Sequence, residues 1–291
     1  MNHIVPNDAT LTIRPIGQTF GAEVAGMPIH GDVSPELLVQ FVAALHRYRV
    51  LVVPRADVGP ADLVAFSRRF GPLEIHSRFE STLPDHREVF CVGNVGSASF
   101  SRGVEQWHAD SSYRPVPSDA SLFYGEIVPP EGGDTLFADS TAAYRSLDAA
   151  MKQRIDGLVA VHSLESLRQW GLRHNPDRKQ AIDSQTDSFP PVRQPLVRQH
   201  PVTGARSLFV CPAVISHIEG LPIDEGAALI DSLLAHITQP RTVYAHRWNQ
   251  GDLVMWDNRA VLHTASLFDH TRYQRLMYRT TIAGHAPGLS E

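Results

Sequence analysis

The sequence predicts a mainly β fold with flanking helices, organised as a β-sandwich. Short strand candidates recur along most of the 291 residues, whereas only four segments have a helical pattern. No internal repeat has the period of a solenoid or a propeller. With 43% hydrophobic residues the chain can bury a large core, and sandwiches of this length often form a single domain.

Four helices are predicted from their start signals, stop signals and apolar spacing. Ser34 and Pro35 form an N-cap and first-turn pair ahead of apolar residues that share one helical face. Gly157 stops another helix, because glycine readily adopts the left-handed backbone that follows a helix. The predicted helices cover residues 34–45, 60–69, 148–155 and 224–237. We expect the first of them to cover a sheet.

Eight further segments read as strands, which is too many for a helical protein. They cover residues 9–16, 49–53, 120–128, 158–163, 206–210, 241–248, 252–257 and 275–283. The segment at 164–195 differs, because it is polar, rich in proline and arginine, and without a clear period. Such a segment is typical of a functional lid, and the alternative is a surface excursion with no part in binding.

Composition excludes several classes of partner. The formal net charge of -5, without a basic block, gives no electrostatic reason to bind nucleic acid or an anionic membrane surface. No signal segment opens the sequence and no apolar stretch is long enough to span a bilayer, so a cytoplasmic protein is predicted. Cys91 and Cys211 are expected to be reduced and packed, because two distant cysteines do not make a disulfide framework.

Three residues are predicted to bind one metal ion. His108 and Asp110 are two positions apart, so in extended backbone their side chains point the same way. His263, far downstream, is the candidate third ligand. Two imidazoles and one carboxylate leave one face of the ion open, which is the arrangement of non-haem Fe(II) oxygenases. Zinc with a bound water accepts the same ligands, so a zinc hydrolase is the alternative from a different class.

Several motifs resemble those of the Fe(II)/2-oxoglutarate-dependent taurine dioxygenase and 2,4-dichlorophenoxyacetate dioxygenase (TauD/TfdA) family, and the resemblance covers nearly the whole chain. They are FSRRFGPL at 66–73, WHADSSY at 107–113, PPEGGDT at 129–135, SHIEGLP at 216–222 and GDLVMWDNR at 251–259. SHIEGLP is similar to the phenoxyacetate branch. The resemblance implies a double-stranded β-helix (a distorted jelly roll), a single catalytic dioxygenase domain over residues 1–291, Fe(II), and 2-oxoglutarate and O2 as cosubstrates.

The same resemblance implies a site for 2-oxoglutarate. Arg275 matches the arginine that binds its far carboxylate, and Thr135 of the GGDT motif matches the hydroxyl partner of that arginine. Arginine suits this role, because its planar fork makes paired, charge-assisted hydrogen bonds to a carboxylate. Twelve residues separate His263 from Arg275, where the family more often has eleven, so Arg272 is the alternative.

The substrate site is predicted beside it. Arg279 lies four residues beyond Arg275, so both side chains project from one face of a strand, and Arg279 matches the family arginine for the substrate anion. His76 aligns with an anion-binding histidine of the taurine branch, and its alternative is a loop histidine satisfied by backbone carbonyls. Phe79 and Tyr113 are candidates for an apolar pocket wall, and core packing is their alternative.

The predicted function is hydroxylation of a small organic anion next to a heteroatom. An aryloxyalkanoate, similar to 2,4-D or dichlorprop, would then undergo ether cleavage to a phenol. The alternative within the family is a taurine or alkylsulfonate dioxygenase. A catalytically silent sandwich that only binds small anions is a further alternative, and the intact set of metal ligands argues against it. The expected partners are a small-molecule anionic substrate and a second copy of the chain in a homo-oligomer.

Overall fold

The computed structural model describes residues 10–17, 19–99, 106–174 and 189–285. Within these ranges the helices are α1 (Pro35–Tyr48), α2 (Pro60–Ser67), α3 (Ser140–Ser146), α4 (Ala149–Ile155), α5 (Leu164–His174) and α6 (Ile223–Ile237). The strands are β1 (Thr12–Pro15), β2 (Ala22–Ala25), β3 (Val50–Val53), β4 (Thr82–Leu83), β5 (His86–Gly93), β6 (Ala120–Ile127), β7 (Thr135–Asp139), β8 (Val159–His162), β9 (Val192–Pro195), β10 (Val197–Gln199), β11 (Arg206–Leu208), β12 (Ile215–Ile218), β13 (Val243–His246), β14 (Leu253–Asp257), β15 (Val261–Ala265) and β16 (Leu276–Ile282).

Two sheets form the sandwich. The larger has eight strands in the order β1-β2-β3-β14-β6-β16-β5-β4, and all its neighbours are antiparallel except β2 and β3. The smaller has the order β13-β7-β15. Two accessory sheets, β12-β8-β9 and β10-β11, complete the described topology. The non-consecutive order means that the chain crosses repeatedly between the two main sheets, and the mainly β prediction with flanking helices is confirmed.

Strand β14 shows how the layers are built. Leu253 and Met255 pack in the core beneath α1 and α2, whereas Val254 and Trp256 face the smaller sheet. Successive side chains of a strand point to opposite faces, so a strand covered on both faces must be apolar throughout. This explains the apolar run at residues 253–256, which makes up all of β14 before Asp257. The space between the two sheets is where the site residues gather.

A second helical layer covers the outer face of the smaller sheet. Ala138 of β7 and Leu262 of β15 lie in one buried cluster with Leu229, Leu233 and Ile237 of α6. These three residues are four positions apart, so they form one stripe along the helix. The helix predicted at 224–237 therefore packs through the face that its spacing indicates.

Two helices were not predicted from the sequence. Helix α3 follows β7 directly, with Asp139 accepting a hydrogen bond from the Ala142 backbone N–H at 2.9 Å as its N-cap. Helix α5 lies inside the 164–195 segment, in which the sequence shows no clear period. Helix α5 is polar apart from a narrow apolar face, so the spacing of its apolar residues gives only a weak helical pattern. Strand β9 ends the same segment, and residues 175–188 lie outside the described residues.

Two composition-based expectations can be compared with the structure. Cys91 and Cys211 are both buried free thiols, as predicted. None of the helices in the described ranges combines the length and the apolar character needed to cross a membrane.

Candidate active site

The two predicted histidine ligands lie opposite each other on paired segments. The backbone N–H of His108 donates to the carbonyl of His263 at 3.0 Å, and the reverse bond is 2.8 Å. Directly opposed residues of an antiparallel pair project from the same face. The two ring centroids are accordingly 4.2 Å apart. This single bridge brings together two ligands that are far apart in sequence.

Each of the two imidazoles has a ring nitrogen within 4.8 Å of a ring nitrogen of the other. Nδ1 of His108 lies 2.6 Å from the carbonyl oxygen of Gln106. A carbonyl only accepts, so Nδ1 carries the proton and Nε2 keeps its lone pair. Burial lowers the pKa of His263 to about 3, so its ring is neutral at neutral pH.

Asp110 is the third member of this group. Its Oδ2 accepts a hydrogen bond from Ser121 Oγ at 2.7 Å and lies 3.8 Å from Nε2 of His263. Its Oδ1 accepts from Arg279 Nη1 at 2.9 Å. Burial alone would raise the pKa of Asp110, but nearby positive charge, that of Arg279 first, lowers it below its ordinary value. The site therefore presents an ionised carboxylate beside the imidazoles of His108 and His263.

These three residues, which we call the cavity group, fit one metal ion. One ligand atom from each lies within 4.8 Å of the other two. The group lines a cavity of about 240 Å³. The cavity is also lined by other predicted site residues, namely His76, Tyr113, Thr135, Arg275 and Arg279. Protein surrounds the ligands on one side and the cavity opens on the other, which is the requirement for a metal that must also bind small molecules.

Arg275 is a buried cation that has no anionic partner among the described residues. It is 6% exposed, and burial lowers its pKa only to about 10, so the guanidinium stays charged. Its Nη2 lies 3.4 Å from the Gly133 carbonyl, and its Nε has no hydrogen-bond partner there. Gly133 leaves room for the guanidinium, because a Cβ at this position would lie 3.3 Å from Nε. An unpaired buried charge is costly, so this part of the cavity suits an anion.

Arg272, the alternative to Arg275, lies elsewhere. Its side chain is exposed, and its guanidinium carbon lies 5.0 Å from the centroid of the Tyr273 ring. It does not line the cavity. Thr135, in contrast, is buried at the start of β7 and lines the cavity together with Arg275. The geometry therefore favours Arg275 and Thr135 as the pair that faces a carboxylate.

His76 is a neutral hydrogen-bond donor near Arg279. Its ring stacks on Phe90, with centroids 3.9 Å apart and an interplanar angle of 19°. Its Nδ1 accepts from the backbone N–H of Arg78 at 3.1 Å, so the ring proton lies on Nε2. Burial, followed by the charge of Arg279, lowers the pKa of His76 to about 3. One ring nitrogen is thus satisfied by backbone, and the other can donate to a ligand.

The two predicted wall residues differ in their placement. Tyr113 lines the cavity and packs edge-on against Phe189 with centroids 5.4 Å apart. Phe79 does not belong to the wall, because it begins a 3-10 helix at the surface and is 58% exposed. The apolar wall is instead made by Phe90, Val92, Phe123, Leu167, Ala213 and Val214. Alternation along β5 places Phe90 and Val92 on this face, a signal that the sequence contained.

A second group has the same composition and comparable spacing. His46, His200 and Asp257, which we call the closed group, also have ligand atoms within 4.8 Å of one another. Both oxygens of Asp257 accept hydrogen bonds from Arg259, and Oδ2 also accepts from His200 Nε2 at 2.9 Å. His200 Nδ1 accepts two backbone N–H groups, which fixes the proton on Nε2. The carboxylate oxygens of Asp257 and the ring nitrogens of His200 therefore have no lone pair left for a metal ion.

The sequence did not identify Ser121 and Asn94, which hold Asp110 and Arg275 in place. Ser121 binds Asp110 and also accepts from Asn258 Nδ2 at 3.1 Å. Asn94 accepts from the backbone N–H of Arg275 at 2.8 Å and so anchors the start of β16. Ser121 is a polar residue inside the apolar β6, which is the one signal that could have identified it. Asn94 carries no such signal, because its role depends on chain crossings that only the fold reveals.

Comparison with known proteins agrees with this geometry. Residues 12–281 match the model of the family described as "Taurine catabolism dioxygenase TauD, TfdA family". The chain belongs to this family. The TauD/TfdA relatives include an (S)-phenoxypropionate/alpha-ketoglutarate-dioxygenase of Sphingobium herbicidovorans, which is 36% identical over 94% of each chain. An alpha-ketoglutarate-dependent 2,4-dichlorophenoxyacetate dioxygenase of Cupriavidus pinatubonensis is 35% identical over 94% of this chain and 98% of that protein.

A solved structure of the TauD/TfdA family shares the fold. The crystal structure of AAD-2 in complex with Mn(II) and N-oxalylglycine superposes with a TM-score of 0.82 and 34% identity, over 97% of this chain and 100% of that chain. The predicted family, enzyme class and jelly-roll fold are thereby confirmed. Membership implies a metal and 2-oxoglutarate, and the cavity group fits the metal. The zinc hydrolase alternative gains no support from these relatives.

Proposed function

We propose that this protein is an Fe(II)- and 2-oxoglutarate-dependent dioxygenase that hydroxylates an aryloxyalkanoate at the carbon next to its ether oxygen. One observation supports this most directly. Arg275 is a buried cation that lacks an anionic partner among the described residues, and it lines the same cavity as three metal-binding side chains. A hydrolase would not need such a buried cation, which suits the carboxylate of a 2-oxo acid, beside its metal site.

The residues divide into a metal site and a cosubstrate site. His108, Asp110 and His263 would hold iron, with Ser121 and Arg279 fixing the carboxylate. Arg275 and Thr135 would bind the far carboxylate of 2-oxoglutarate. Bound iron supplies the oxidation, in which O2 and 2-oxoglutarate are consumed to give succinate, CO2 and a hydroxylated substrate carbon. The protein contributes charge, orientation and a largely apolar enclosure.

Arg279 and His76 would bind the substrate carboxylate. Arg279 uses one N–H on Asp110, and its Nε has no hydrogen-bond partner among the described residues. Nε2–H of His76 supplies a neutral donor beside it. Beyond these polar groups, Phe90, Val92 and Leu167 offer apolar contacts for an aromatic ring. A ligand with one carboxylate and one aryl group matches this distribution of charge and apolar surface.

Hydroxylation beside the ether oxygen decides the products. The hydroxylated carbon bears both an OH and an aryloxy group, which is a hemiacetal. A hemiacetal breaks into a phenol and a carbonyl compound, so an aryloxyacetate yields a phenol and glyoxylate. The relatives named for phenoxypropionate and dichlorophenoxyacetate support this substrate class.

An alkylsulfonate is the second candidate substrate. Hydroxylation next to sulfur would release sulfite and an aldehyde. Two features favour it, namely the taurine activity in the description of the family model and the donor at His76 beside Arg279. A sulfonate has three acceptor oxygens, so it could use both residues at once. The apolar wall argues for the aryl compound.

We also propose that the described ends of the 164–195 segment, residues 164–174 and 189–195, cover part of the cavity. Leu167 of α5 lines the cavity, and Phe189 packs against Tyr113. The described ends of the segment therefore both lie at the site. A cytoplasmic location and a homo-oligomeric state stay predictions.

The test is a coupled turnover assay. The protein is reconstituted with Fe(II) and 2-oxoglutarate without oxygen, and O2 is then added with aryloxyacetates, aryloxypropionates, arylacetates or alkylsulfonates. Succinate, phenol, aldehyde and sulfite are measured. We expect succinate and a phenol in equal amounts from an aryloxyalkanoate. Sulfite in place of phenol would establish the second candidate.

A matched variant makes this assay specific for 2-oxoglutarate. Arg275→Ala should retain the metal, because it leaves the cavity group intact, but should lose most of its affinity for 2-oxoglutarate. If the iron-loaded wild type formed no succinate with any compound and bound no 2-oxoglutarate, the dioxygenase proposal would be refuted.

A further inference from the structure

Trp248 is a buried residue that reaches the cavity only through another side chain. Its Nε1–H donates to Thr135 Oγ1 at 3.0 Å. Its ring packs edge-on against Phe123, at 5.5 Å between centroids, and against His246, at 4.6 Å. Trp248 itself does not line the cavity, whereas Thr135 does. Any influence of Trp248 on a ligand therefore passes through the Thr135 hydroxyl or through the packing around it.

The hydrogen bond fixes the role of that hydroxyl. An indole N–H can only donate, so Thr135 Oγ1 must accept from it. In the part of the chain that the structure describes, the Thr135 side chain has no other hydrogen-bond partner. Its own proton is thus available to an acceptor in the cavity. The same hydroxyl without Trp248 could rotate and accept a bond from a ligand or water instead.

The backbone of Thr135 is also fixed. It lies in β7, the middle strand of the smaller sheet, and is paired with His246 on one side and Ala265 on the other. The side chain is 3% exposed. With backbone, burial and one hydrogen bond all fixed, the hydroxyl is a preorganised donor in the same cavity as the unpaired charge of Arg275.

We propose that Trp248 is a positioning residue, which holds the Thr135 hydroxyl as a donor to the far carboxylate of a dicarboxylic 2-oxo acid bound at Arg275. The inference rests on the proposed function, because it takes 2-oxoglutarate as the ligand of Arg275. Arg275 supplies charge to this carboxylate, and Trp248 supplies direction through Thr135. Trp248 thereby contributes to selection of a dicarboxylate over a 2-oxo acid that lacks the second carboxylate.

The test removes one N–H and keeps the ring. Trp248→Phe preserves aromatic packing against Phe123 and His246 but cannot donate. Binding is measured by anaerobic calorimetry on the full-length protein loaded with Mn(II), using 2-oxoglutarate and 2-oxopentanoate, which has a methyl group in place of the far carboxylate. We expect 2-oxoglutarate to bind about two- to fivefold more weakly, the range that matches a net hydrogen bond of about 0.5–1 kcal/mol. The affinity for 2-oxopentanoate should not change.

A second variant separates positioning from packing. Thr135→Val removes the hydroxyl at nearly constant shape, so Trp248→Phe should have no further effect on 2-oxoglutarate binding in that background. The inference would be overturned if Trp248→Phe weakened the binding of both 2-oxo acids equally. It would also be overturned if Trp248→Phe weakened 2-oxoglutarate binding as much in the Thr135→Val protein as in the wild type. Failure of the wild type to bind 2-oxoglutarate would defeat the proposed function as well, whereas normal binding by Trp248→Phe would defeat the role of Trp248 alone.

Discussion

The cavity group and the closed group have the same composition, two histidines and one aspartate, but different surroundings. In the cavity group, His108 donates through Nδ1 to a carbonyl and keeps Nε2 for a ligand. In the closed group, the corresponding nitrogen of His200 carries a proton and donates to Asp257. Each aspartate also meets an arginine, through one N–H in the cavity group and through several in the closed group.

This difference shows that proximity of ligand atoms does not define a metal site. The tautomers of His108 and His200 are set by their outer hydrogen bonds, and the tautomer decides whether a lone pair faces the neighbouring ligand atoms. In the closed group both oxygens of Asp257 are saturated by donors. We conclude that the closed group is a structural hydrogen-bond network that joins the end of β14 to the β10–β11 hairpin, and we propose the cavity group as the metal site.

The largest expected effect is loss of metal from the cavity group. Asp110→Ala removes the only carboxylate of the group, so metal affinity should fall by more than the roughly 10–100-fold that follows loss of a residue that merely orients a ligand. Turnover should be abolished. Metal content after dialysis and succinate formation are the measurements. Wild-type turnover by a metal-free Asp110→Ala protein would contradict the assignment of the site.

His200→Asn is the matched control for this variant. It changes the closed group and leaves the cavity group untouched, so the metal content should equal that of the wild type. Two metal ions per wild-type chain, reduced to one by His200→Asn, would show that the closed group binds a metal after all.

The second prediction concerns stability. Asp257→Asn removes the carboxylate that Arg259 contacts most closely and leaves Asp119, 3.6 Å from Nη1, as the remaining anion, so the free energy of unfolding should fall by about 1–3 kcal/mol. Chemical denaturation of the metal-free protein is the measurement. Metal-free Asp110→Asn should lose less, because Asp110 accepts one arginine N–H whereas Asp257 accepts three from Arg259 and one from His200. A similar loss in both variants would remove the distinction between the two groups.

The sequence identified the cavity group but not the closed group, and the reason lies in chain distance. His108 and Asp110 are two residues apart, a spacing that predicts a shared direction in extended backbone. His46, His200 and Asp257 come from three distant segments. Each of these is an unremarkable polar residue until β14, α1 and the β10–β11 hairpin are packed together.

The fold, like the site, could be predicted only in part from the sequence. Core strands such as β3, β14 and β16, and helices with clear caps such as α1 and α4, lie close to their predicted bounds. Helix α5 was not predicted, because its burial depends on the sheet beneath it. The exposed placement of Phe79 depends on the 3-10 turn at Phe79–Ser81, whose backbone has no periodic pattern to read.

The third prediction compares the two arginines. Arg279→Ala should raise the substrate KM about 10- to 100-fold, since a hydrogen bond to a charged group contributes about 1.5–3 kcal/mol. Arg259→Ala should instead lower the free energy of unfolding and leave the KM of the surviving folded enzyme unchanged. Steady-state kinetics at saturating 2-oxoglutarate is the measurement. An unchanged KM in Arg279→Ala would remove this residue from the substrate site.

The smallest expected effect is a pH dependence of the free energy of unfolding, which isolates the contribution of the Asp257 charge. Burial alone would raise the pKa of this carboxyl, but hydrogen bonds from Arg259 and His200 outweigh it and lower the pKa. A lowered folded-state pKa stabilises the protein fully above the unfolded-state value of about 3.9, and this contribution is lost as the pH falls toward the folded-state pKa. The slope in that window is about 1.4 kcal/mol per pH unit.

Wild type and Asp257→Asn should therefore differ by a constant free energy of unfolding from about pH 7 to about pH 5, and by progressively less below about pH 4. Urea unfolding at each pH measures the difference. Asp231→Asn, an exposed change on α6, is the control and should follow the wild type throughout. If the gap between wild type and Asp257→Asn stayed constant into acid, the loss would come from altered packing, because a charge effect must disappear once the wild-type carboxyl is protonated in both states.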